Sequence, residues 1–439
     1  MRAWIKPGYG LLLLLLLLPL LIAAPRLLTL WDGGLAGALR VFGLATGILG
    51  MAALLLAAAL SIRLPSLDRF FGGLPQLWLV HRGLGFSAFI LIMAHALLLS
   101  LAAAPASLEA ALITLFPPLD NWPVWSGWGA LILMVVFLGP TFQFFGRPHY
   151  QRWKTLHLLA IPTTLLALAH LFPLAGEFWL WLLLAVLAVG AMFWRKGLSP
   201  HLGRYEYEVV GAEKLVRDVV EVQLKPVGKT MPYEAGQFVY LTPLDDNLSA
   251  GFNEEHPYTI ASSPEDPILR IGIKDLGDAS HAIQTVTPGT KAWVEGPYGD
   301  FYERLFPERN QLWLAGGIGV TPFVGGARHL RDADELPGHA GRKDAHAHLF
   351  YLGRDHVRAY YLDELLDIGE HHDRLAVTPH YFRDEGPMSH DFLLNHCPDF
   401  AEREIYMCGP PAMIDHLKQI FKRAGVPSSR IHSEVFDFL

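Results

Sequence analysis

Two hydrophobic rhythms divide the chain. Up to about Trp194, apolar residues run in long blocks with charges confined to the gaps; beyond Arg204 the blocks give way to short apolar runs broken by Gly, Pro and Asp. A bilayer core requires about 20 apolar residues per helix. The long blocks predict six membrane spans, roughly 9–30, 36–62, 76–104, 124–146, 155–174 and 177–195. Arg2 and Lys6 precede the first leucine run as they would in a secretory leader. That run continues past an ordinary leader core and lacks a clean small-residue cleavage site, so it reads as a span.

The second half carries β-like runs at Tyr205–Val210, Asp218–Leu224, Phe238–Thr242, Leu269–Ile273 and Lys291–Val294. Short strands between turn signals predict a small β-barrel. From Gln311 the order becomes strand, glycine turn, helix, strand, which predicts a parallel α/β sheet. The expected organisation is multidomain: a six-helix membrane bundle over 1–200, a β-barrel over 201–305 and an α/β domain over 306–439.

Composition sharpens this only in places. Hydrophobic residues make up 52% of the 439, an average that hides the split. A formal charge of −7 gives no reason to expect a nucleic-acid partner. Cys397 and Cys408 both lie in the second half and form no CxxC pair, so neither a disulfide framework nor a zinc site is expected. Basic residues follow alternate gaps: Arg2 and Lys6; Arg63 and Arg69; Arg147, Arg152 and Lys154; Arg195 and Lys196. The loops near Glu109–Asp120 and Glu177 have none, and Arg26 is the exception in the first external loop. Basic residues mark the cytoplasmic side, so both termini and the second half are expected inside.

Span three holds His81 and His95, and span five holds His157 and His170. Ionisable residues inside a membrane are costly and usually functional, and neutral imidazole is a good haem-iron ligand. One histidine alone reads equally as a bridge between helices. The first pair is separated by 14 residues, about 21 Å of rise, ending within roughly 40° of the same face. That suits two haems stacked across a bilayer. The second pair, 13 apart, falls roughly 140° out of line on a straight helix, with Pro162 between as a potential kink. Two inside-to-outside spans pair His81 with His157 and His95 with His170. Ligation by two imidazoles leaves no open iron position, so single-electron transfer is the expected chemistry.

In the second half, HPYTIASSP opens with His256, Pro257, Tyr258 and Thr259. A ring there can cover a flavin face and a hydroxyl can reach the ring edge, though four residues alone also read as a strand end. Gly277 and Ser280 begin an expected helix, where backbone N–H groups suit a pyrophosphate. The GPYG stretch at Gly296–Gly299 reads as a linker or a plain turn. A strand at Leu312–Ala315 leads into Gly316-Gly317-Ile318-Gly319-Val320-Thr321-Pro322, a glycine turn that lets phosphate approach a helix start. A second strand, Leu349–Leu352, ends at Gly353-Arg354, where arginine suits the 2′-phosphate of NADPH and an acid would favour NADH. A third, Ile405–Met407, ends in Cys408-Gly409-Pro410-Pro411-Ala412-Met413. Cys408 there borders the ligand crevice or is simply a small buried residue. The terminal EVFDFL offers an aromatic shield for a flavin.

HPYT, GGIGVTP, YLGR and CGPPAM in this order resemble the ferredoxin–NADP reductase superfamily. With four membrane histidines ahead of them, the chain resembles a bacterial member of the NADPH oxidase and ferric reductase family. The resemblance implies a path from NADPH (or NADH) to FAD, an inner and an outer b haem, and an external acceptor: oxygen, a ferric chelate or a periplasmic protein. It implies an integral protein of a bacterial inner membrane, in contact with lipid, with its soluble part cytoplasmic. Residue by residue, it implies Tyr258 and Thr259 at the flavin and His256, Pro257 and Lys274 as further flavin-side contacts. Gly277 and Ser280 fall at the pyrophosphate, and Gly316, Gly317, Gly319, Thr321 and Pro322 at the nucleotide phosphates. Arg354 falls at the 2′-phosphate, and Cys408, Gly409 and Pro410 beside the nicotinamide. Phe436 is the implied shielding aromatic, with Phe438 its rival; Thr259, Cys408 and Phe436 form the implied catalytic set. Arg40 resembles an arginine near the outer haem. Leu99 stands where animal oxidases carry a polar histidine, which argues against dedicated oxygen chemistry. No EF-hand extension is seen, so calcium gating is not expected. A haem-binding anchor or transporter with a non-catalytic reductase domain is the alternative; NADPH-dependent haem reduction separates the two.

Overall fold

The computed structural model describes residues 6–64, 67–141, 150–302, 309–334 and 346–434. Its residues fall into two compact units, divided between Leu202 and Gly203.

The first unit is helical. α1 (Pro7–Leu28), α2 (Leu35–Ala59), α3 (Leu74–Ala103), the short α4 (Leu108–Leu115), α5 (Trp122–Leu138), α6 (Tyr150–Leu156), α7 (Ala160–Leu171), α8 (Phe178–Phe193) and α9 (Ser199–Leu202) follow in order. Six helices are long and apolar enough to cross a membrane, covering 7–28, 35–59, 74–103, 122–141, 152–171 and 178–202. The fifth joins α6 to α7 through a 3-10 turn at His157–Leu159. Pro162, in the first turn of α7, has no N–H to give the Leu158 carbonyl, and the chain tightens just before it. Three residues at about 120° rather than 100° overwind the span by roughly 60°. This removes roughly 60° of the roughly 140° misalignment that a straight helix imposes on His157 and His170. α2 packs along α3 through small residues: a Cβ on Gly43 or Gly50 would stand 2.9 Å from Leu99 or Ile92 side-chain carbons. Small residues are how membrane helices approach closely. The core of this unit gathers Met51–Ala58 with Leu84, Ala88, Met134, Phe137, Leu168, Trp181 and Leu184.

The second unit has two sheets. Strands β1 (Arg204–Val216), β2 (Val219–Pro226), β3 (Phe238–Pro243), β4 (His256–Thr259), β5 (Leu269–Lys274) and β6 (Lys291–Tyr298) form an antiparallel sheet ordered β4-β3-β6-β1-β2-β5. It curls until Ile260, just past β4, bridges Ile271 on β5. Small helix α10 (Asp278–Ala282) lies between β5 and β6. β7 (Gln311–Gly316), β8 (Ala347–Gly353), β9 (Leu375–Tyr381), β10 (Glu404–Cys408) and β11 (Ile431–Glu434) form a parallel sheet ordered β11-β10-β7-β8-β9. Helices α11 (Thr321–Asp334), α12 (Leu362–His371), α13 (Phe382–Glu385), α14 (His390–His396) and α15 (Pro411–Arg423) connect them. The order reverses between β7 and β10, and ligands of doubly wound sheets bind outside the strand ends at such a point. Both the glycine turn after β7 and the CGPP stretch after β10 lie there.

Candidate functional sites

In the helical unit the four histidines meet as two pairs. The rings of His81 and His157 are 6.1 Å apart, centroid to centroid, and those of His95 and His170 are 6.3 Å apart. A metal–imidazole bond is about 2.0–2.1 Å; adding the distance from ring nitrogen to centroid on both sides gives about 6.3 Å for two imidazoles on opposite faces of one metal. Both pairs match this spacing. Among the described residues, no group of three or more His, Cys, Asp or Glu converges as a protein-only metal site. Each pair of opposed imidazoles, at this spacing, is a donor set that would fit a haem iron.

The other ring nitrogens support the fit. His81 Nδ1 donates to the Ala57 carbonyl at 2.7 Å, His95 Nδ1 to the Gly43 carbonyl at 2.7 Å and His170 Nδ1 to the Pro123 carbonyl at 2.8 Å. A carbonyl only accepts, so each Nδ1 carries the proton and each Nε2 keeps its lone pair, the arrangement that prepares histidine as a ligand. His157 differs: its Nδ1 is buried with no hydrogen-bond partner among the described residues, and its ring lies 5.0 Å from that of Trp153 and 5.1 Å from that of Phe137. Glycines make room for these rings. A Cβ on Gly47 would stand 2.5 Å from His95 Nδ1, and one on Gly127 would stand 2.8 Å from His170 Nδ1. Sequence reasoning missed Gly43, Gly47, Gly50 and Gly127; for the first three the available signal is the 4-and-3 spacing of small residues on one span. Leu99 packs on Gly43, and Arg40 is exposed near the start of α2.

In the second unit, β4 carries HPYT antiparallel to β3, with Thr259 opposite Phe238 and Tyr258 opposite Val239. Thr259 is buried and Tyr258 half-buried. Pro257 lies opposite Tyr240, and His256 Nε2 sits 3.3 Å from Glu254 Oε2. Lys274 ends β5, opposite Val219. The Ser280 hydroxyl receives the Leu276 and Gly277 N–H groups at 2.9 and 2.8 Å, so it caps α10.

Gly316 ends β7, and Gly317 turns the chain at φ +56°, the left-handed region glycine enters without strain. Thr321 Oγ1 donates to the Ile318 carbonyl at 2.9 Å as α11 starts, with Pro322 following. Gly319 presses on the Cys408–Gly409 backbone, and Gly316 and Gly409 both lie against Met413, with Pro410 also beside Gly316. Two motifs far apart in sequence thus close into one backbone cradle.

Cys408 ends β10 between Ala315 on β7 and Glu434 on β11. Its thiol is fully buried; burial pushes its pKa well above the usual range, and the Glu434 carboxylate adds to that. Strand register links this point to the flavin segment. Thr259 faces Phe238, Phe238 faces Tyr298, and a Cβ on the next residue, Gly299, would lie 3.8 Å from Glu434 Oε1. Sequence reasoning missed Glu434 as well; it lies two positions before Phe436. Phe436 and Phe438 fall outside the described residues. Arg354 follows β8 and is exposed, while its neighbour Asp355 is held by Arg383 at 3.2 Å.

Comparison with known proteins agrees with this division. Residues 46–168 match the ferric reductase like transmembrane component, 205–301 an FAD-binding domain and 313–419 an oxidoreductase NAD-binding domain. The glycine betaine monooxygenase reductase subunit of Chromohalobacter salexigens is 31% identical over 212 residues, 46% of this chain and 56% of that protein. A superoxide-generating NADPH oxidase heavy chain of Dictyostelium discoideum is 23% identical over 231 residues, 47% of this chain and 32% of that protein. The chain thus spans about a third to a little over half of these two relatives. The flavohemoglobin of Malassezia yamatoensis, solved with bound FAD and heme, shares the fold at TM-score 0.50 and 17% identity, covering 91% of this chain and 98% of that one. A ferric reductase-like transmembrane domain is therefore joined here to the FAD and nucleotide domains of an NAD(P)H oxidoreductase. In this domain series the chain is similar to NADPH oxidase and ferric reductase proteins.

Proposed function

We propose that the chain carries electrons across a membrane, from NADPH on the cytoplasmic side through FAD and two b haems to an acceptor on the opposite side. That acceptor is molecular oxygen, giving superoxide, or ferric iron; a periplasmic redox protein is the remaining class. The observation that carries the proposal is the pair of histidine pairs at 6.1 and 6.3 Å, in a bundle fused to an FAD and nucleotide module. Bound FAD would accept hydride as an electron pair and release electrons one at a time to haem groups that carry one each.

The chain's own residues then hold, orient and screen. His81 and His157 would hold the inner haem, and His95 and His170 the outer. The Ala57, Gly43 and Pro123 carbonyls fix three of these rings. Thr259 and Tyr258 would orient the flavin. The cradle of Gly316, Gly319 and Gly409 would admit the dinucleotide phosphates to the backbone, and Arg354 would receive the 2′-phosphate. Cys408 stays a neutral thiol beside the nicotinamide. The basic loops support a cytoplasmic soluble unit, with the protein in a bacterial inner membrane.

Acceptor-dependent NADPH oxidation by purified protein tests the proposal. Oxidation that reduces an impermeant ferric chelate, or reduces cytochrome c in a manner abolished by superoxide dismutase, identifies the acceptor. Haem that binds but never reduces with NADPH contradicts the proposal and leaves a haem-binding anchor with a non-catalytic reductase domain.

A further inference from the structure

We propose that the second turn of α11 is a spacer that fixes the nicotinamide phosphate loop against the flavin segment, with Gly325 and Arg328 as its positioning residues. The inference rests on the NADPH and FAD assignment above.

α11 begins at Thr321, at the end of the glycine turn. One turn on, Gly325 faces the segment just past Thr259. A Cβ on Gly325 would stand 3.0 Å from the Ile260 carbonyl oxygen and 3.4 Å from that of Ser262. Gly326 is equally confined, with Trp313 at 3.1 Å and the Tyr302 hydroxyl at 3.2 Å. Consecutive glycines in a helix interior are locally unfavourable; here they permit backbone to touch backbone. The contact falls on the strand end that carries the flavin candidates.

Arg328, one turn further, locks the same contact by charge. Its Nη1 donates to the Ala261 carbonyl at 3.0 Å and to Glu221 Oε2 at 3.0 Å, while Nε and Nη2 grip Glu364 at 2.7 and 2.8 Å. Glu221, on β2, is buried and also takes Arg270 of β5 at 3.1 Å; Arg270 in turn holds Asp266 at 2.9 Å. The Tyr361 ring lies 5.5 Å from the Arg328 guanidinium. The network joins two barrel strands to two helices of the nucleotide domain, and one of its bonds ends on backbone two residues past Thr259. Well-packed apolar residues often stabilise as much as a buried ion network does. A planar, five-donor fork reaching three acceptor groups at once supplies fixed geometry. Hydride transfer demands that: reacting atoms must approach to about 3–3.5 Å, and about 1 Å of misplacement costs on the order of a hundredfold.

The test uses full-length protein loaded with FAD, in Gly325→Ala, Arg328→Met and Arg328→Lys forms. Anaerobic rapid mixing with NADPH reads flavin reduction, NADP+ titration reads affinity, and long-wavelength absorbance reads stacking of nicotinamide on flavin. The spacer predicts flavin reduction slowed on the order of ten- to a hundredfold in Gly325→Ala and Arg328→Met. It also predicts a weakened long-wavelength band, unchanged NADP+ affinity and FAD content, and partial recovery in Arg328→Lys. Wild-type rates in both variants, or a loss confined to NADP+ affinity, overturn it. If Arg328→Met sheds FAD, Gly325→Ala decides alone, since it alters no charge. A wild-type protein whose flavin NADPH does not reduce overturns the NADPH and FAD reading, and the spacer with it.

Discussion

Gly47 and His95 are in direct opposition. A Cβ at residue 47 would lie 2.5 Å from His95 Nδ1, the nitrogen that reaches the Gly43 carbonyl at 2.7 Å. A larger residue at 47 must push the imidazole off that bond while leaving His95 itself in place. Gly47→Val should therefore lower haem content from about two to about one per chain, with the inner haem retained. Gly127→Val should do the same from the His170 side. Haem stoichiometry of purified variants checks this; two haems in both variants would show that the glycines do not set the ring position.

Arg354 should select NADPH over NADH. A charge-assisted contact to phosphate contributes about 1.5–3 kcal/mol, less when exposed, so discrimination on the order of tenfold is expected. Asp355 does not oppose it, because Arg383 already holds that carboxylate at 3.2 Å. Arg354→Ala should raise the KM for NADPH about tenfold and leave that for NADH unchanged. Steady-state kinetics with both nucleotides decide it.

Cys408 and Glu434 should act on the chemical step rather than on cofactor retention. Cys408→Ala and Glu434→Gln should each slow flavin reduction by NADPH while FAD stays bound. Burial and the Glu434 carboxylate hold the thiol pKa well above normal, and only thiolate is a nucleophile. Native protein should consequently resist alkylation at Cys408 up to about pH 8. Mass spectrometry after iodoacetamide treatment measures that directly.

His348 should make the second unit acid-sensitive. It is buried, with Nε2 2.8 Å from Thr378 Oγ1; burial and then Arg403 lower its pKa to about 4. Between that value and the ordinary histidine value of about 6.5, the unfolded chain binds a proton that the folded chain does not. Stability should then rise with pH through this window and fall as pH drops through it, by about 2 kcal/mol after screening. Denaturant unfolding of the full-length protein at several pH values, against His348→Gln, tests the sign.

Long apolar blocks announce their helices, so the six spans were legible, as was the pairing of the membrane histidines. The misalignment of His157 with His170 was legible too, but not its partial remedy. A 3-10 turn of three residues at His157–Leu159 leaves no hydrophobic signature. Helix α4 escaped notice because eight residues cannot form a span. Backbone strands and glycine turns around β7 and β10 followed from motif and pattern. Register did not: Glu434 opposite Cys408, and Arg328 reaching Glu221, are contacts between residues 26 and 107 positions apart. Ser280 fitted a phosphate contact on sequence, while the structure gives its hydroxyl two backbone N–H groups to accept.

Anaerobic mixing of the purified protein with NADPH, followed at flavin and haem wavelengths together, tests the electron path most directly. The account predicts flavin bleaching first, then reduction of two low-spin haems per chain. In His81→Ala the flavin should still bleach while the outer haem stays oxidised. Flavin bleaching with no haem response in the wild type, or an outer haem that reduces normally in His81→Ala, would contradict it.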